Sequence, residues 1–135
     1  EIKSTTFNNH TILKHIIKHI PKKTLHNQCI ISSFNYCLLY QLRFLLLYRG
    51  PMAFILASKH LKGILNLGIN KALIIILNPE FLHVNINNTT QSLVDWIHNK
   101  SKIINTYTIN DYATLEKCIS LGVDGIFTDN HTLYD

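Results

Sequence analysis

The chain has 135 residues, of which 47% are hydrophobic and 16% charged, and its formal net charge is +5. This composition can supply a packed core and argues against an intrinsically disordered chain. The basic residues are scattered along the sequence, which argues against a nucleic-acid-binding protein.

Two further features concern the compartment. The three cysteines form no Cys-x-x-Cys pair, so we expect reduced thiols and a cytoplasmic location. The most apolar stretch, residues 37–48, is interrupted by Gln41 and Arg43 and is too short to cross a bilayer. We therefore expect no membrane span.

In the first half of the chain, helical and extended patterns alternate. Apolar residues at helical spacing within residues 12–20 predict a helix, and Pro21 predicts its end. The apolar run at residues 29–34 predicts a buried strand, and the leucines of residues 38–46 predict the helix that follows it. The run Met52–Leu56 predicts a second buried strand.

The middle of the chain repeats this alternation. Apolar residues at positions 61–67, followed by Gly68, predict a helix capped by that glycine. The Leu-Ile-Ile-Ile-Leu run at residues 73–77 predicts a third strand, which Pro79 would end. Thr89 or Thr90 is predicted to cap the next helix, because a threonine hydroxyl can accept a hydrogen bond from a free helical N–H group.

Two strands and one helix are predicted for the last third. Residues 103–109 alternate in character and predict a fourth strand, and residues 125–128 predict a short fifth one. Between them, Asn110 is predicted to cap a helix that ends before Gly122. Strands alternating with helices indicate a parallel sheet with helical crossovers. Periodicity alone does not distinguish an open, doubly wound sheet from part of a (β/α)₈ barrel.

Four segments, in order and at matching spacing, resemble motifs of the glycerophosphodiester phosphodiesterase family. These are Glu1-Ile2-Lys3, Ile31-Ser32-Ser33-Phe34, Tyr107-Thr108-Ile109-Asn110 and Gly122-Val123-Asp124-Gly125-Ile126-Phe127-Thr128-Asp129. The resemblance covers essentially the whole chain. It implies that residues 1–135 are the C-terminal portion of a TIM-type (β/α)₈ barrel of the PLC-like phosphodiesterase kind.

The resemblance also implies a reaction and a set of site residues. The reaction is metal-dependent hydrolysis of a small-molecule glycerophosphodiester to glycerol 3-phosphate and an alcohol. Glu1 matches a ligand of the divalent cation, Mg²⁺ or Ca²⁺, and Lys3 matches a lysine near the substrate phosphate. Tyr107 matches an aromatic residue of the substrate pocket. Ser33 and Asn78 each end a predicted strand, so we expect them to line the same pocket.

Several motifs of the family are absent from this sequence. They are its His-Arg-Gly, its Glu-x-Asp pair of metal ligands and its His-Asp, and the resemblance assigns the acid–base histidines to the first and last of these. We expect all three upstream of Glu1, so no catalytic residue is assigned in this chain, which is expected to be inactive alone. Two alternatives stay open: a truncated, non-catalytic remnant of the family, and an unrelated α/β binding domain.

Overall fold

A computed structural model of the protein describes residues 1–4, 10–21, 24, 27–56 and 64–134. The strands that these residues form are β1 Ile31–Ser33, β2 Met52–Leu56, β3 Phe81–Asn85, β4 Ile103–Tyr107 and β5 Gly125–Ile126. The α-helices are α1 His10–His19, α2 Tyr36–Tyr40, α3 Ile64–Leu77, α4 Gln91–His98 and α5 Tyr112–Leu121. A π-helical turn, Gln41–Leu45, extends α2, and short 3₁₀ helices occupy Ile86–Asn88 and His131–Tyr134.

The five strands form one parallel sheet in the order β1-β2-β3-β4-β5. Each crossover therefore moves to the adjacent position in the same direction. A doubly wound sheet reverses its strand order at a switch point, whereas a β/α barrel does not. At the free edge of β1, the N–H of Ile2 donates to the carbonyl of Ser32 at 2.8 Å, so residues 1–4 run beside that strand. The sheet thus has the winding of a barrel.

One face of the sheet packs against the helices and contains the main hydrophobic core. Alternate strand residues point to this outer face, and in β1 to β4 all of them are buried. They pack against apolar residues of α1, α2, α3 and α4 in one cluster, which includes Leu13, Leu38, Met52, Phe54, Leu56, Ile74, Leu77, Leu82, Val84, Ile97 and Ile104. This packing holds the strands and helices in place, and so positions the residues at the strand ends.

The opposite, inner face of the sheet is only partly covered. Phe34, Ile103 and Phe127 lie on it and keep 39%, 40% and 44% of their surface exposed. On this face, β5 approaches β4 closely at Gly125. A larger residue there would clash, because its Cβ atom would lie 2.5 Å from Oδ1 of Asn105. In a closed barrel the inner face is filled by side chains of the other strands.

The strand expected at residues 73–77 is wrong, because this run lies in helix α3. Ile74 and Leu77 are buried, whereas Ile75 and Ile76 are 60% and 52% exposed. This is the one-sided burial of a helix packed on a sheet. Gly68, the expected cap, lies inside α3. The helix ends at Leu77, and the next residue, Asn78, adopts a left-handed conformation with φ of 46°. The third strand is β3, which was not predicted.

Smaller differences concern the caps. Thr90 caps α4 as predicted, through a bond from the N–H of Leu93. Helix α5 is capped by Asp111 rather than Asn110, because the Asp111 carboxylate accepts from the N–H of Thr114 at 2.8 Å. Gly122 ends α5 with φ of 72°, as the sequence predicted. Within the described ranges, no helix combines the length and the apolar character needed to cross a bilayer.

An ion pair stabilises the amino edge of the sheet, where the strands begin. Arg43 Nη2 contacts both carboxylate oxygens of Glu80 at 3.0 Å, and Glu80 also accepts the N–H of Met52 at 2.9 Å. The Arg43 side chain is 11% exposed. Glu80 thus connects the helical layer to the starts of β2 and β3, on the face that in barrels serves stability.

Candidate functional site

A cavity of about 390 Å³ opens at the carboxyl edge of the sheet, where the strands end. Its volume falls in the range typical of small-ligand sites. Side chains of the inner face and of the segments that follow the strands line it: Glu1, Ser32, Phe34, Ile55, His83, Tyr107, Thr108 and Phe127. In β/α barrels this edge carries the active site.

Glu1 reaches the cavity because its segment runs beside β1. Ile2 packs against the core on the outer face, so its neighbours Glu1 and Lys3 lie on the inner side. Nζ of Lys3 lies 4.0 Å from Oε1 of Glu1. The Lys3 side chain is 83% exposed, so it is free to reorient towards an anion at the cavity mouth. The structure thus brings together the predicted cation ligand and the predicted phosphate contact.

Tyr107 forms part of the cavity wall at the end of β4. Its hydroxyl donates to the carbonyl of Leu56 at 2.9 Å, which ties the ends of β4 and β2 together across β3. Its ring meets the edge of Phe34 at 6.5 Å between centroids. Burial, and then the negative charge of Glu1, raises the pKa of the Tyr107 phenol. The phenol therefore remains protonated at neutral pH and acts as a donor.

Ser33 and Asn78 do not line the cavity. The Ser33 hydroxyl donates to the carbonyl of Ile2 at 2.7 Å and accepts from the N–H of Asn35 at 3.1 Å. It therefore stabilises the residue 1–4 segment, and its neighbour Ser32 lines the cavity instead because adjacent residues point to opposite faces. Asn78 follows α3 and precedes β3, so it lies at the amino edge, where its amide oxygen accepts from Lys102.

His83 is a polar cavity residue that the sequence analysis did not single out, because no strand was predicted at residues 81–85. It lies in the middle of β3 and is 7% exposed. Burial lowers the pKa of its imidazole from 6.5 to about 4. Had residues 81–85 been recognised as a strand, their alternation would have placed His83 on the inner face.

The donor set of the cavity is not a complete metal site. Glu1 is a hard oxygen ligand of the type that Mg²⁺ and Ca²⁺ prefer. Among the residues that the structure describes, however, no three His, Cys, Asp or Glu side chains form a group that could hold a metal ion. Glu1 thus fits as one ligand, and further ligands would have to come from other residues.

Comparison with known proteins agrees with this architecture. A family model described as the glycerophosphoryl diester phosphodiesterase family matches residues 1–133. No curated protein sequence matches this chain. Among solved structures, a protein of Silicibacter pomeroyi provisionally named a glycerophosphoryl diester phosphodiesterase superposes with a TM-score of 0.74 at 19% identity, covering 95% of this chain and 45% of its own.

Two further solved structures are similar. A phosphodiesterase of Oleispira antarctica, in complex with the product sn-glycerol-3-phosphate, has a TM-score of 0.64 at 19% identity and covers 87% of this chain and 43% of its own. A glycerophosphodiester phosphodiesterase of Parabacteroides distasonis has a TM-score of 0.69 at 19% identity, with 94% and 50% covered. The chain thus spans about half the length of these relatives, and its fold is the C-terminal portion of a TIM-type (β/α)₈ barrel.

Proposed function

Because the chain belongs to the glycerophosphoryl diester phosphodiesterase family, we propose that it forms the C-terminal wall of an active site that hydrolyses glycerophosphodiesters. The products are glycerol 3-phosphate and an alcohol. The observation that carries this proposal is the cavity at the carboxyl edge of the strands, with Glu1 and Tyr107 in its wall. The Oleispira antarctica relative, solved with sn-glycerol-3-phosphate, supports a substrate of this class.

Three residues have proposed roles in that reaction. Glu1 binds Mg²⁺ or Ca²⁺ through its carboxylate, together with ligands from outside the described residues. When bound, the cation supplies Lewis-acid chemistry at a phosphoryl oxygen. Lys3 places its ammonium group against the phosphate, and Tyr107 borders the bound substrate.

The contact between Lys3 and Glu1 is compatible with these separate roles. The exposed Lys3–Glu1 pair, at 4.0 Å, is of the kind that contributes little to stability. Lys3 can therefore exchange Glu1 for a phosphate oxygen at little cost. If Glu1 held a cation, its charge would be compensated, and Lys3 would be available to the anionic substrate.

The second candidate is a chain with no catalytic activity of its own. Two observations favour it for the isolated 135 residues. The described part of the cavity wall carries one carboxylate and one imidazole, and the imidazole is neutral and buried. The inner face is also partly open, so water would compete at the site. We therefore propose that activity requires additional polypeptide carrying the His-Arg-Gly and Glu-x-Asp motifs.

The three cysteines support a cytoplasmic location as part of this proposal. Cys29, Cys37 and Cys118 form no Cys-x-x-Cys pair, and such wide spacing is typical of proteins that keep reduced thiols in the cytoplasm.

The test measures release of glycerol 3-phosphate from glycerophosphocholine with Mg²⁺ or Ca²⁺. It compares the isolated chain with the chain joined to a segment that carries the missing motifs. We expect background rates for the first and turnover that EDTA removes for the second. Turnover by the isolated chain would refute the proposed need for further polypeptide. No turnover by either protein, with the joined one folded, would refute the proposed reaction.

A further inference from the structure

The outer helical layer exposes large apolar side chains on two neighbouring helices, α2 and α3. Arg43, in the π-helical turn that extends α2, donates to the carbonyl of Asn78, just after α3, at 3.4 Å, so the ends of the two helices lie together. Six large apolar residues of this region keep between 41% and 64% of their surface exposed, and we call them the α2–α3 patch: Tyr40, Phe44, Leu45, Leu47, Ile75 and Ile76. Large exposed apolar surfaces mark sites of association with proteins or membranes.

The exposed side of α3 is apolar in its described part. The polar Asn70 lies on the buried side together with Ile74 and Leu77. Lys71 is the only charged residue in the sequence of this helix, and its Nζ lies over the ring of Trp96, 5.0 Å from the centroid. No charge therefore covers the outward face of the helix at its carboxyl half. A helix that is apolar all round is typically buried on both sides.

The end of α2 has an irregular backbone that carries exposed apolar side chains. The rings of Tyr40 and Phe44 pack against each other with 4.8 Å between centroids. The π-helical turn is closed by a bond from the N–H of Leu46 to the carbonyl of Gln41 at 3.0 Å. Leu47 then adopts a left-handed conformation with φ of 52°, which is unfavourable for leucine. Such turns and such strained residues are frequent at functional sites.

The rest of a barrel would not cover the α2–α3 patch. Further strands would join the sheet at its two edges, beside residues 1–4 and beside β5, and their helices would lie next to α1 and α5. In the winding order, α2 and α3 lie between α1 and α4, so the neighbours of both helices are already present in this chain. The partner of the patch would therefore come from outside the barrel.

The charge of this part of the chain indicates the chemistry of that partner. Residues 2–79 contain ten of the 13 Lys and Arg residues and no Asp or Glu. Lys14 and Lys18 on the neighbouring helix α1, and Arg49 just after the patch, are exposed. Apolar side chains beside cations match an anionic lipid surface, because acyl chains cover the former and headgroups attract the latter. A nucleic acid would pair with the cations and leave the apolar side chains in water.

We propose that the α2–α3 patch binds the surface of an anionic phospholipid bilayer. The apolar residues of the patch insert at the level of the headgroups, where tyrosine is common in membrane proteins. Arg49 and the lysines of α1 contact the anionic headgroups. Such binding is peripheral and reversible. It is independent of the proposed reaction, because the cavity lies on the inner face of the sheet and the patch lies on the outer side of the helices.

The test is co-sedimentation of the full natural polypeptide that carries this chain with two kinds of vesicle. One consists of phosphatidylcholine, and the other contains in addition about one third phosphatidylglycerol, which is anionic. Ile75→Gln removes an apolar side chain of the patch, and its matched control is Ile119→Gln, because Ile119 is 69% exposed on α5, outside the patch. Arg49→Gln removes a cation, and its matched control is Lys117→Gln, at an exposed position of α5.

We expect binding to the mixed vesicles that weakens as salt is added, and little binding to phosphatidylcholine alone. Ile75→Gln and Arg49→Gln should each weaken this binding about fivefold, as expected for partial burial of one aliphatic side chain and for one headgroup contact. Phe44→Gln, on the α2 side, should have a similar effect. The two controls should change binding less than about twofold. Ile75→Leu should bind as the native protein does, and a thermal melt of each variant checks its folding.

Three results would overturn the inference: no binding of the native protein to the mixed vesicles, equal binding to both kinds of vesicle, or equal losses in the patch variants and their controls. Dimerisation that Ile75→Gln abolishes, in a protein that binds no vesicle, would show that a second copy of the chain covers the patch and would also overturn it. Weaker vesicle binding in the patch variants, with unchanged melting temperatures, would support it whether or not the protein hydrolyses phosphodiesters.

Discussion

Replacing Glu80 by glutamine tests the separation between a stabilising amino edge and a functional carboxyl edge. In the native protein, Arg43 contacts both Glu80 oxygens at 3.0 Å, and one of these oxygens also accepts the Met52 N–H. Glutamine offers a single carbonyl oxygen and no charge. The substitution therefore leaves the guanidinium of Arg43, which is 11% exposed in its side chain, without its counter-ion.

The expected loss of stability lies below that of a fully buried ion pair. Breaking such a pair by removing one partner costs about 3–5 kcal/mol. The Glu80 side chain is 43% exposed, so solvent screens part of the interaction, and glutamine retains one acceptor. We therefore expect the free energy of unfolding to fall by about 2 kcal/mol. For a chain of this length that lowers the melting temperature by roughly 6–8 °C.

Urea denaturation and thermal melts measure this change directly. Asp95→Asn is the matched control, because it also neutralises an acid, but among the described residues its carboxylate accepts a hydrogen bond only from the exposed Gln91 side chain, at 2.9 Å. We expect the control to change stability by less than about 0.5 kcal/mol. A Glu80→Gln variant as stable as the control would contradict the stabilising role, and altered binding of sn-glycerol 3-phosphate at the cavity would contradict the separation of the two edges.

Three further predictions concern single side chains. Tyr107→Phe removes the bond to the Leu56 carbonyl and should lower stability by about 1 kcal/mol in urea denaturation; no change would mean that this bond is replaced by water. The pKa of His83 is about 4 in the folded protein, so the unfolded chain binds its proton first as the pH falls. Stability should therefore decrease between about pH 6.5 and pH 4, by at most about 3 kcal/mol from this group, and His83→Phe should flatten that part of the profile. Thr90→Ala removes the α4 cap and should cost about 1 kcal/mol, whereas Thr90→Ser should cost almost nothing.

Local signals with a single physical outcome were predictable from the sequence. A proline ends a helix because it lacks an N–H group, and α1 ends at His19, before Pro21. Glycine accepts a left-handed conformation, and Gly122 adopts it after α5. Met52–Leu56 is buried at every position and forms β2, as its continuous apolar character predicted.

The run at residues 73–77 shows where such reasoning fails. Five apolar residues in sequence suit both a strand buried on two faces and a helix within a crowded layer. The longer apolar segment and the absence of a strong breaker before Asn78 favoured the helix. Because the third strand was predicted at residues 73–77, Asn78 was predicted at the carboxyl edge of the sheet, whereas it lies at the amino edge.

The candidate site was predictable only in part for the same reason. Glu1 and Tyr107 follow from motifs that resemble those of the family, and both residues line the cavity. Ser33 was predicted to line the cavity, but its neighbour Ser32 does so, because successive strand residues point to opposite faces. The sequence pattern at residues 29–34 did not indicate which of the two serines faces inward. His83 belongs to no motif, and its place on the inner face follows only once residues 81–85 are recognised as a strand.

The central claim is that the cavity at the carboxyl edge is the phosphodiesterase site and that Glu1 is a metal ligand within it. The most direct measurement is the rate of glycerophosphocholine hydrolysis by the chain joined to the missing motifs, with Glu1 or with Glu1→Gln, alongside a thermal melt of each. The account predicts that Glu1→Gln removes most of the activity and leaves the melting temperature nearly unchanged, because an exposed carboxylate is altered and no core contact is lost. Full activity in Glu1→Gln would contradict the assignment of Glu1 to the metal.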